Sequence, residues 1–209
     1  SFGENSLVQD MTCFNRFLEF DPDKLTLKLE AGVRLIELME WALSRNLHFP
    51  VLPGYPLITV GGCVAADVHG KNPYRDGTFS DWVKELTLFH PQNGYLTCSA
   101  EDNPHLFGMT CGGYGLTGVI TNLTLQLAEL PATAIALAQS RVHGLTEAAD
   151  KLSSDDGDIA YSWHDATAGR NFGRGIVFTG HWSESGSGRE SGRESGKQST
   201  LLKFHPMTS

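Results

Sequence analysis

Two runs of small residues constrain this chain more than anything else in it. The first is Thr59-Val60-Gly61-Gly62-Cys63-Val64-Ala65-Ala66-Asp67-Val68-His69-Gly70-Lys71-Asn72, with Leu52-Pro53-Gly54 just ahead of it. The second is Cys111-Gly112-Gly113-Tyr114-Gly115-Leu116-Thr117-Gly118-Val119-Ile120. Backbone without a Cβ can approach a ligand closely and offer its N–H groups. Such groups hold a phosphate or the edge of a cofactor ring without any lysine. Ala65 and Ala66 keep the next turn thin, and His69 then presents an imidazole beside Gly70, with Lys71 and Asn72 as further donors. Taken singly, Gly61-Gly62 reads as a turn and His69 as a satisfied surface histidine, because short glycine motifs match by chance. The whole run from Thr59 to Asn72 points to a binding surface.

The order of elements narrows the ligand. The dinucleotide fingerprint runs strand, glycine loop, helix. Here the second run lies between a helix and a strand, which disfavours a nicotinamide-binding Rossmann unit. A tight helix-to-strand connection accounts for part of its glycine content whatever the ligand.

Around these runs the pattern predicts mixed helices and strands. Leu7–Asp10 reads as a short strand. Phe17–Phe20 and Leu25–Leu29 read as a hairpin joined by Asp21-Pro22-Asp23-Lys24, since Pro and Asp favour turns and the second run alternates. Arg34–Arg45 reads as a helix with Leu35, Leu38, Met39 and Ala42 on one face and Asn46 as its stop. Phe49–Gly54 reads as extended. Val83–His90 and Tyr95–Cys98 form a second hairpin on Asn93-Gly94. Pro104–Thr110 reads as a helix capped by Asn103, and Val119–Leu127 as a strand. After Pro131 small and acidic residues become frequent, and about 184–199 is a Ser/Gly/Arg/Glu stretch with Gly-Arg-Glu-Ser twice, the composition of a flexible linker.

Composition enters mainly through what it excludes. Apolar residues at 40% and charged residues at 19% suit a packed core rather than disorder. The 16 Lys and Arg are scattered in a chain of net charge −8, so no basic stripe marks a nucleic-acid partner. No apolar run reaches the roughly 18 residues of a membrane span. Cys13, Cys63, Cys98 and Cys111 make no C-x-x-C pair, which argues against zinc, and no metal site is expected. Isolated cysteines of this kind read as buried free thiols in a reducing compartment. Ser1-Phe2-Gly3-Glu4 has neither a signal-peptide pattern nor an initiator Met, which predicts cytoplasmic residence and a processed or absent first segment.

The two glycine runs together resemble the flavin adenine dinucleotide (FAD) domain of the vanillyl-alcohol-oxidase type, also called the PCMH-type FAD-binding domain. Within it they are most similar to the decaprenylphosphoryl-ribose oxidase group. Ser1-Phe2-Gly3-Glu4-Asn5-Ser6 resembles the end of that family's pyrophosphate loop, with Phe2 for the usual Tyr and Glu4 for the usual Asp. Tyr161–Ala166, Gly173-Arg174-Gly175 and Leu202-Lys203-Phe204 resemble the start of its substrate domain.

That resemblance implies an α+β fold: an FAD-binding domain over 1–130, its N-terminal part missing, and the start of an α+β substrate domain over 131–209. It implies FAD contacts at Gly54, Thr59, Val60, Gly61, Gly62, Ala66, Asp67, Val68, His69, Gly70 and Ile120. Ser1, Phe2, Gly3, Glu4 and Asn5 would hold the pyrophosphate side. It places His69 and Lys71 at the reacting centre, as candidate base or positioning groups. The family's usual catalytic Lys lies in a C-terminal part this sequence lacks. The implied chemistry is hydride transfer from a secondary alcohol of a sugar or lipid-linked sugar to flavin N5, in cell-wall biosynthesis. The flavin would be non-covalent, a partner reductase could take the electrons, and the protein could associate with a membrane. An aldonolactone or alditol oxidase of the same superfamily, and a catalytically silent FAD-binding fragment, are the alternatives.

Overall fold

We describe residues 8–167, 169–184 and 198–203 of a computed structural model, the last six by backbone alone. The expectations for Ser1–Asn5, most of the 184–199 linker and Phe204 lie outside the described residues.

The polar turn at residues 21–24 sets the first hairpin. The Asp21 carboxylate accepts the backbone N–H groups of Asp23 and Lys24, each at 3.0 Å, which is how Asp nucleates a turn. Strands β1 (Phe17–Asp21) and β2 (Thr26–Glu30) then pair antiparallel. Leu25 has φ +52°, so β2 begins one residue later than its alternation suggests. Its inward residues Leu27 and Leu29 are buried.

Helix α1 (Leu35–Leu43) follows, its backbone at Arg34 tied to the Glu37 carboxylate at 2.8 Å. Leu35, Leu38 and Ala42 form its buried face as expected, Met39 is half-buried beside them, and Asn46 ends it in the left-handed region. Trp41 takes Phe17 stacked at 5.7 Å and Phe20 edge-on at 5.1 Å.

The chain continues through β3 (Leu47–His48), α2 (Val60–Ala65), α3 (Pro73–Asp76) and a 3-10 turn (Phe79–Trp82). Next come β4 (Val83–His90), β5 (Gly94–Cys98), α4 (Pro104–Thr110), β6 (Val119–Gln126) and β7 (Ala128–Glu129). The first sheet has the order β1-β2-β6-β4-β5 and is antiparallel throughout, while β3 pairs with β7. Leu27, Leu29, Leu86, Leu88, Leu123 and Leu125 line one face of this sheet, and α1 with the Phe49–Phe79 ring pair closes over them. Each such leucine contributes about 1.5–3 kcal/mol by leaving water.

The second sheet uses β8 (Ala134–Val142), β9 (Ile159–His164), β10 (Gly175–Ser183) and β11 (Gln198–Lys203) in the order β11-β8-β10-β9. Helix α5 (Leu145–Ser154) lies between β8 and β9 in sequence and packs Ala148 and Leu152 on Val142 and Val177. The architecture is α+β, as the resemblance implies.

Several local expectations are corrected. Residues 8–10 are not a strand: the Asp10 carboxylate folds back onto the Thr12 N–H and hydroxyl, a local turn that competes with strand pairing. Asn103 stands at the start of α4 but does not cap it. Its φ is +53° and its amide donates to the Thr97 carbonyl instead. Cys13 is exposed rather than buried, although all four cysteines are free thiols. Gln198 and Ser199 belong to β11, not to the linker.

Candidate functional site

Thr59 starts the first glycine run as an N-cap. Its hydroxyl accepts the Gly62 N–H at 3.2 Å. The Val60 N–H donates to the Val33 carbonyl and the Gly61 N–H to the Ala31 carbonyl, both at 2.8 Å. The expectation that the Gly61-Gly62 N–H groups point outward therefore does not hold: these donors are taken up inside the protein. Gly61 is glycine because of protein packing. A Cβ there would meet the Ala31 Cβ at 2.8 Å. Gly62 differs, being exposed, with only the Thr59 hydroxyl near a notional Cβ.

Helix α2 ends in a tight reversal. The Asp67 N–H donates to the Val64 carbonyl and the Val68 N–H to the Cys63 carbonyl, both at 3.0 Å. That pairing is a Schellman ending, which needs a left-handed residue. Asp67 supplies it at φ +43°, a position where short polar side chains are tolerated. Its carboxylate accepts the Ser80 N–H at 3.2 Å and the Ser80 hydroxyl, fixing the turn to the 3-10 segment.

The second glycine run docks onto this same helix end. The Gly112 N–H donates to the Val64 carbonyl at 3.0 Å and the Tyr114 N–H to the Ala65 carbonyl at 2.8 Å. The two runs thus form one surface element, not two loops. Gly118 closes it at φ +140°, where a Cβ would strike the Leu88 side chain and the Phe89 carbonyl at 2.7 Å. Tyr114 and Leu116 stand out into solvent, 78% and 91% exposed, beside exposed Ala66. Gly54 is also exposed, with open space where a side chain would be, and Tyr55 and Leu57 follow it on the surface.

His69 is exposed, and its Nδ1 lies 2.9 Å from the Gly70 carbonyl. A carbonyl only accepts, so Nδ1 carries the proton and Nε2 keeps its lone pair in the neutral ring. Lys71 is half-buried, its ammonium 4.3 Å above the Tyr161 ring. The two candidates therefore sit on one stretch, with Lys71 at the junction to the second sheet.

That junction is built from backbone and charge. The Ala160 N–H donates to the Lys71 carbonyl at 3.0 Å, and the Asn72 amide to the Gly157 carbonyl at 2.9 Å. Arg75 pairs with Asp158, which also accepts the Trp182 N–H at 2.9 Å. Burial pushes the Asp158 carboxyl up, but the Trp182 N–H and Arg75 outweigh it and hold the group below its ordinary value. Beyond Lys71 the second sheet presents an aromatic wall. Tyr161 stacks on Phe178 at 4.8 Å, and Trp163 meets Phe178 at 5.4 Å.

Not every residue implied by the resemblance is open to solvent. Val60 and Gly61 are buried, and Ile120 keeps 7% of its surface in the first core. Sequence reasoning missed the roles of Ser80, Arg75 and Asp158, which act through contacts distant in sequence. Asp155, Asp156 and His181 bring ligand atoms within 4.8 Å of one another, but they lie at a solvated edge and carry no metal assignment. No helix among the described residues is long and apolar enough to cross a membrane.

Residues 1–99 match the family described as FAD binding domain. The chain is 36% identical over 174 residues to decaprenylphosphoryl-beta-D-ribose oxidase of Mycolicibacterium smegmatis, covering 79% of this chain and 37% of that protein. It is 26% identical to a putative D-arabinono-1,4-lactone oxidase of Neurospora crassa, covering 65% of this chain and 24% of that one. In fold it is similar to an alkyldihydroxyacetonephosphate synthase, with a TM-score of 0.68 at 15% identity, covering 84% of this chain and 38% of the other. The chain thus spans well under half the length of these relatives.

Proposed function

We propose that the chain, whose residues 1–99 match the FAD binding domain family, belongs to an oxidoreductase of the vanillyl-alcohol-oxidase type that converts a secondary alcohol of a sugar or lipid-linked sugar to a ketone. The paired glycine runs carry this reading. They make one continuous surface of thin backbone around Gly62 and Ala66, with Gly54 likewise open and His69 exposed on the turn that follows. This surface fits a flat nucleotide cofactor: an added Cβ at Gly54, Gly62 or Gly115 meets open space or one hydroxyl. Exposed Tyr114 and Leu116 offer apolar cover beside Ala65 and Ala66.

When bound, FAD supplies the hydride acceptor, and the protein orients it and tunes its surroundings. Thr59, Gly62, Ala66, Val68, His69 and Gly70 would line it, with the Asp67 turn setting their position. Val60, Gly61 and Ile120 support that lining from behind. Ser1 to Asn5, inside the matched segment, would hold the pyrophosphate side. His69 Nε2 has the free lone pair to accept a hydroxyl proton or hold the hydroxyl in place. Lys71 sets a cation where the aromatic wall begins and stabilises negative charge developing on the substrate oxygen. Residues 131–209 begin the substrate domain under the same proposal. So do a non-covalent flavin, electron transfer to a partner reductase, a role in cell-wall synthesis, and cytoplasmic residence at a membrane face, where a lipid-linked substrate would sit.

The relative named as a lactone oxidase supports a second reading, an aldonolactone oxidase. Purified protein should be yellow or take up FAD stoichiometrically, and anaerobic addition of a sugar alcohol should bleach the bound flavin. Bleaching by an aldonolactone alone would move the assignment to the second reading. A folded protein that takes up no FAD would sink both and leave a silent fragment.

A further inference from the structure

Lys71 meets the second sheet at the β9 edge. The Ala160 N–H donates outward to the Lys71 carbonyl at 3.0 Å, while Ala160 faces Thr179 of β10 on its other side. The Lys71 backbone is thereby fixed one residue from Tyr161. Its side chain then folds over the Tyr161 ring, with Nζ 4.3 Å from the centroid. That is well inside the roughly 6 Å reach of a cation–π contact. Phe178 of β10 takes the other face of the ring, stacked at 4.8 Å with the planes 10° apart. Trp163 braces Phe178 in turn at 5.4 Å. Tyr161 is clamped between a cation and an aromatic neighbour.

What holds a cation decides what that cation can still do. A carboxylate would fix Lys71 and cancel its charge at the same time. Among the described residues no acidic side chain pairs with Lys71. A ring face attracts the ammonium through its quadrupole, which carries no net charge. Burial pushes the Tyr161 phenol up, so the ring stays neutral at physiological pH. The ammonium keeps its field while a flexible four-carbon stem is confined to one place. We propose that Tyr161 is a positioning residue whose ring, backed by Phe178, holds Lys71 as an un-neutralised cation at the proposed reacting centre. The proposal rests on the flavin-oxidase reading for what Lys71 does there, and on the ring contact alone for how it is held. A cation so placed stabilises negative charge developing beside it and raises the potential of bound FAD.

The test uses the full chain and two readouts. Reductive methylation with isotope-labelled formaldehyde puts methyl groups on each lysine Nζ and keeps the charge. Methyl groups over a ring face resonate upfield of ordinary ones, and this readout needs no flavin. In wild type the dimethyl-Lys71 signal, assigned by its loss in Lys71→Gln, should stand upfield of the other lysines. Tyr161→Phe keeps the ring and should keep that shift, whereas Tyr161→Leu should return the signal to the common position. The second readout is the midpoint potential of bound FAD. Lys71→Gln and Tyr161→Leu should both lower it, and Tyr161→Phe should hold it at the wild-type value. An ordinary wild-type signal overturns the proposal. So does a Tyr161→Leu potential equal to wild type, or a potential that Lys71→Gln leaves unmoved. The wild-type signal needs no substitution, so it decides the contact even if Tyr161→Leu does not fold. Wild type that takes up no FAD refutes the flavin reading, while the methyl signal still judges the ring contact.

Discussion

Asp67 is the residue on which the candidate site turns, and its replacement gives a graded prediction. It occupies the left-handed position of the α2 ending at φ +43° and accepts two hydrogen bonds from Ser80. Asp67→Ala removes both bonds, of which those to a charged acceptor are worth about 1.5–3 kcal/mol each before Ser80 finds water. It also puts a plain Cβ in the left-handed region, at about 1 kcal/mol. With partial rehydration of half-buried Ser80, the expected loss is about 3 kcal/mol. In a chain of this size that lowers the melting temperature by about 6–12 °C. Asp67→Gly relieves the backbone but still loses Ser80, so it should cost about 2 kcal/mol. Asp67→Asn keeps an acceptor and tolerates the conformation, and should stay within about 1 kcal/mol of wild type. Thermal unfolding followed by circular dichroism ranks the three, and FAD titration of each variant below its melting point reads the position of the turn. The expected order is Asn above Gly above Ala in both measurements. If Gly equalled wild type, the Ser80 bonds would contribute nothing, and if Ala did, the whole account of the turn would fail.

Gly61→Ala and Gly62→Ala should separate packing from binding. The first drives a methyl to 2.8 Å from the Ala31 Cβ and should destabilise the fold by about 1–3 kcal/mol. The second meets only the Thr59 hydroxyl and should leave unfolding nearly unchanged while weakening FAD binding, as parallel melts and titrations would show. Glu30 is buried, and the Arg16 guanidinium holds its carboxyl below the ordinary carboxylate value against the opposing effect of burial. Its folded pKa is depressed, so its stabilising contribution is complete above the unfolded value of 4.5 and is lost as pH falls through the folded one. Urea midpoints from pH 6 down to 3 should therefore fall less steeply in Arg16→Ala, which starts from a lower plateau; parallel curves would contradict the pairing. Burial pushes the Cys63 thiol up to about 12 and the Cys98 thiol up to about 11, while Cys13 is exposed. A thiol reagent at pH 8 should modify Cys13 rapidly and reach Cys63 and Cys98 only in denaturant.

Local signals carried much of this fold. Alternation in β2 and β6, three- and four-residue spacing in α1, and the Asn93-Gly94 turn each specify their own element, because the relevant interactions are a few residues apart. The glycine runs stand out in the sequence as a candidate site for the same reason. What the runs do in detail was not. Gly61 faces Ala31 rather than a ligand, and the glycine of each role looks alike in sequence. The left-handed ending at Asp67 was hidden because the usual Gly is absent there. Asn103 had the right identity for a cap, but its amide donates back to the Thr97 carbonyl of β5 instead. Arg75–Asp158 and Lys71–Tyr161 join residues more than 80 positions apart, which no periodicity could announce.

Those long-range contacts decide how the proposed site can work. Within seven residues, from His69 to Arg75, the chain passes from the proposed cofactor face to the second sheet. Along it Lys71 and Asn72 hold β9 and the residue before Asp158 by hydrogen bonds, and Arg75 grips Asp158 itself. The spacing between the proposed cofactor face and the aromatic wall is therefore fixed in large part by this short segment, with the His48–Trp182 ring contact at 5.4 Å beside it. A positional error of about 1 Å between reacting groups can cost two orders of magnitude in rate. Asp158→Asn would leave the two sheets folded, since each has its own hydrophobic cluster. It would weaken the grip of Arg75, and catalytic turnover should suffer well before FAD affinity does. The segment that presents the proposed proton acceptor also aligns the proposed substrate wall, so neither can be shifted without the other.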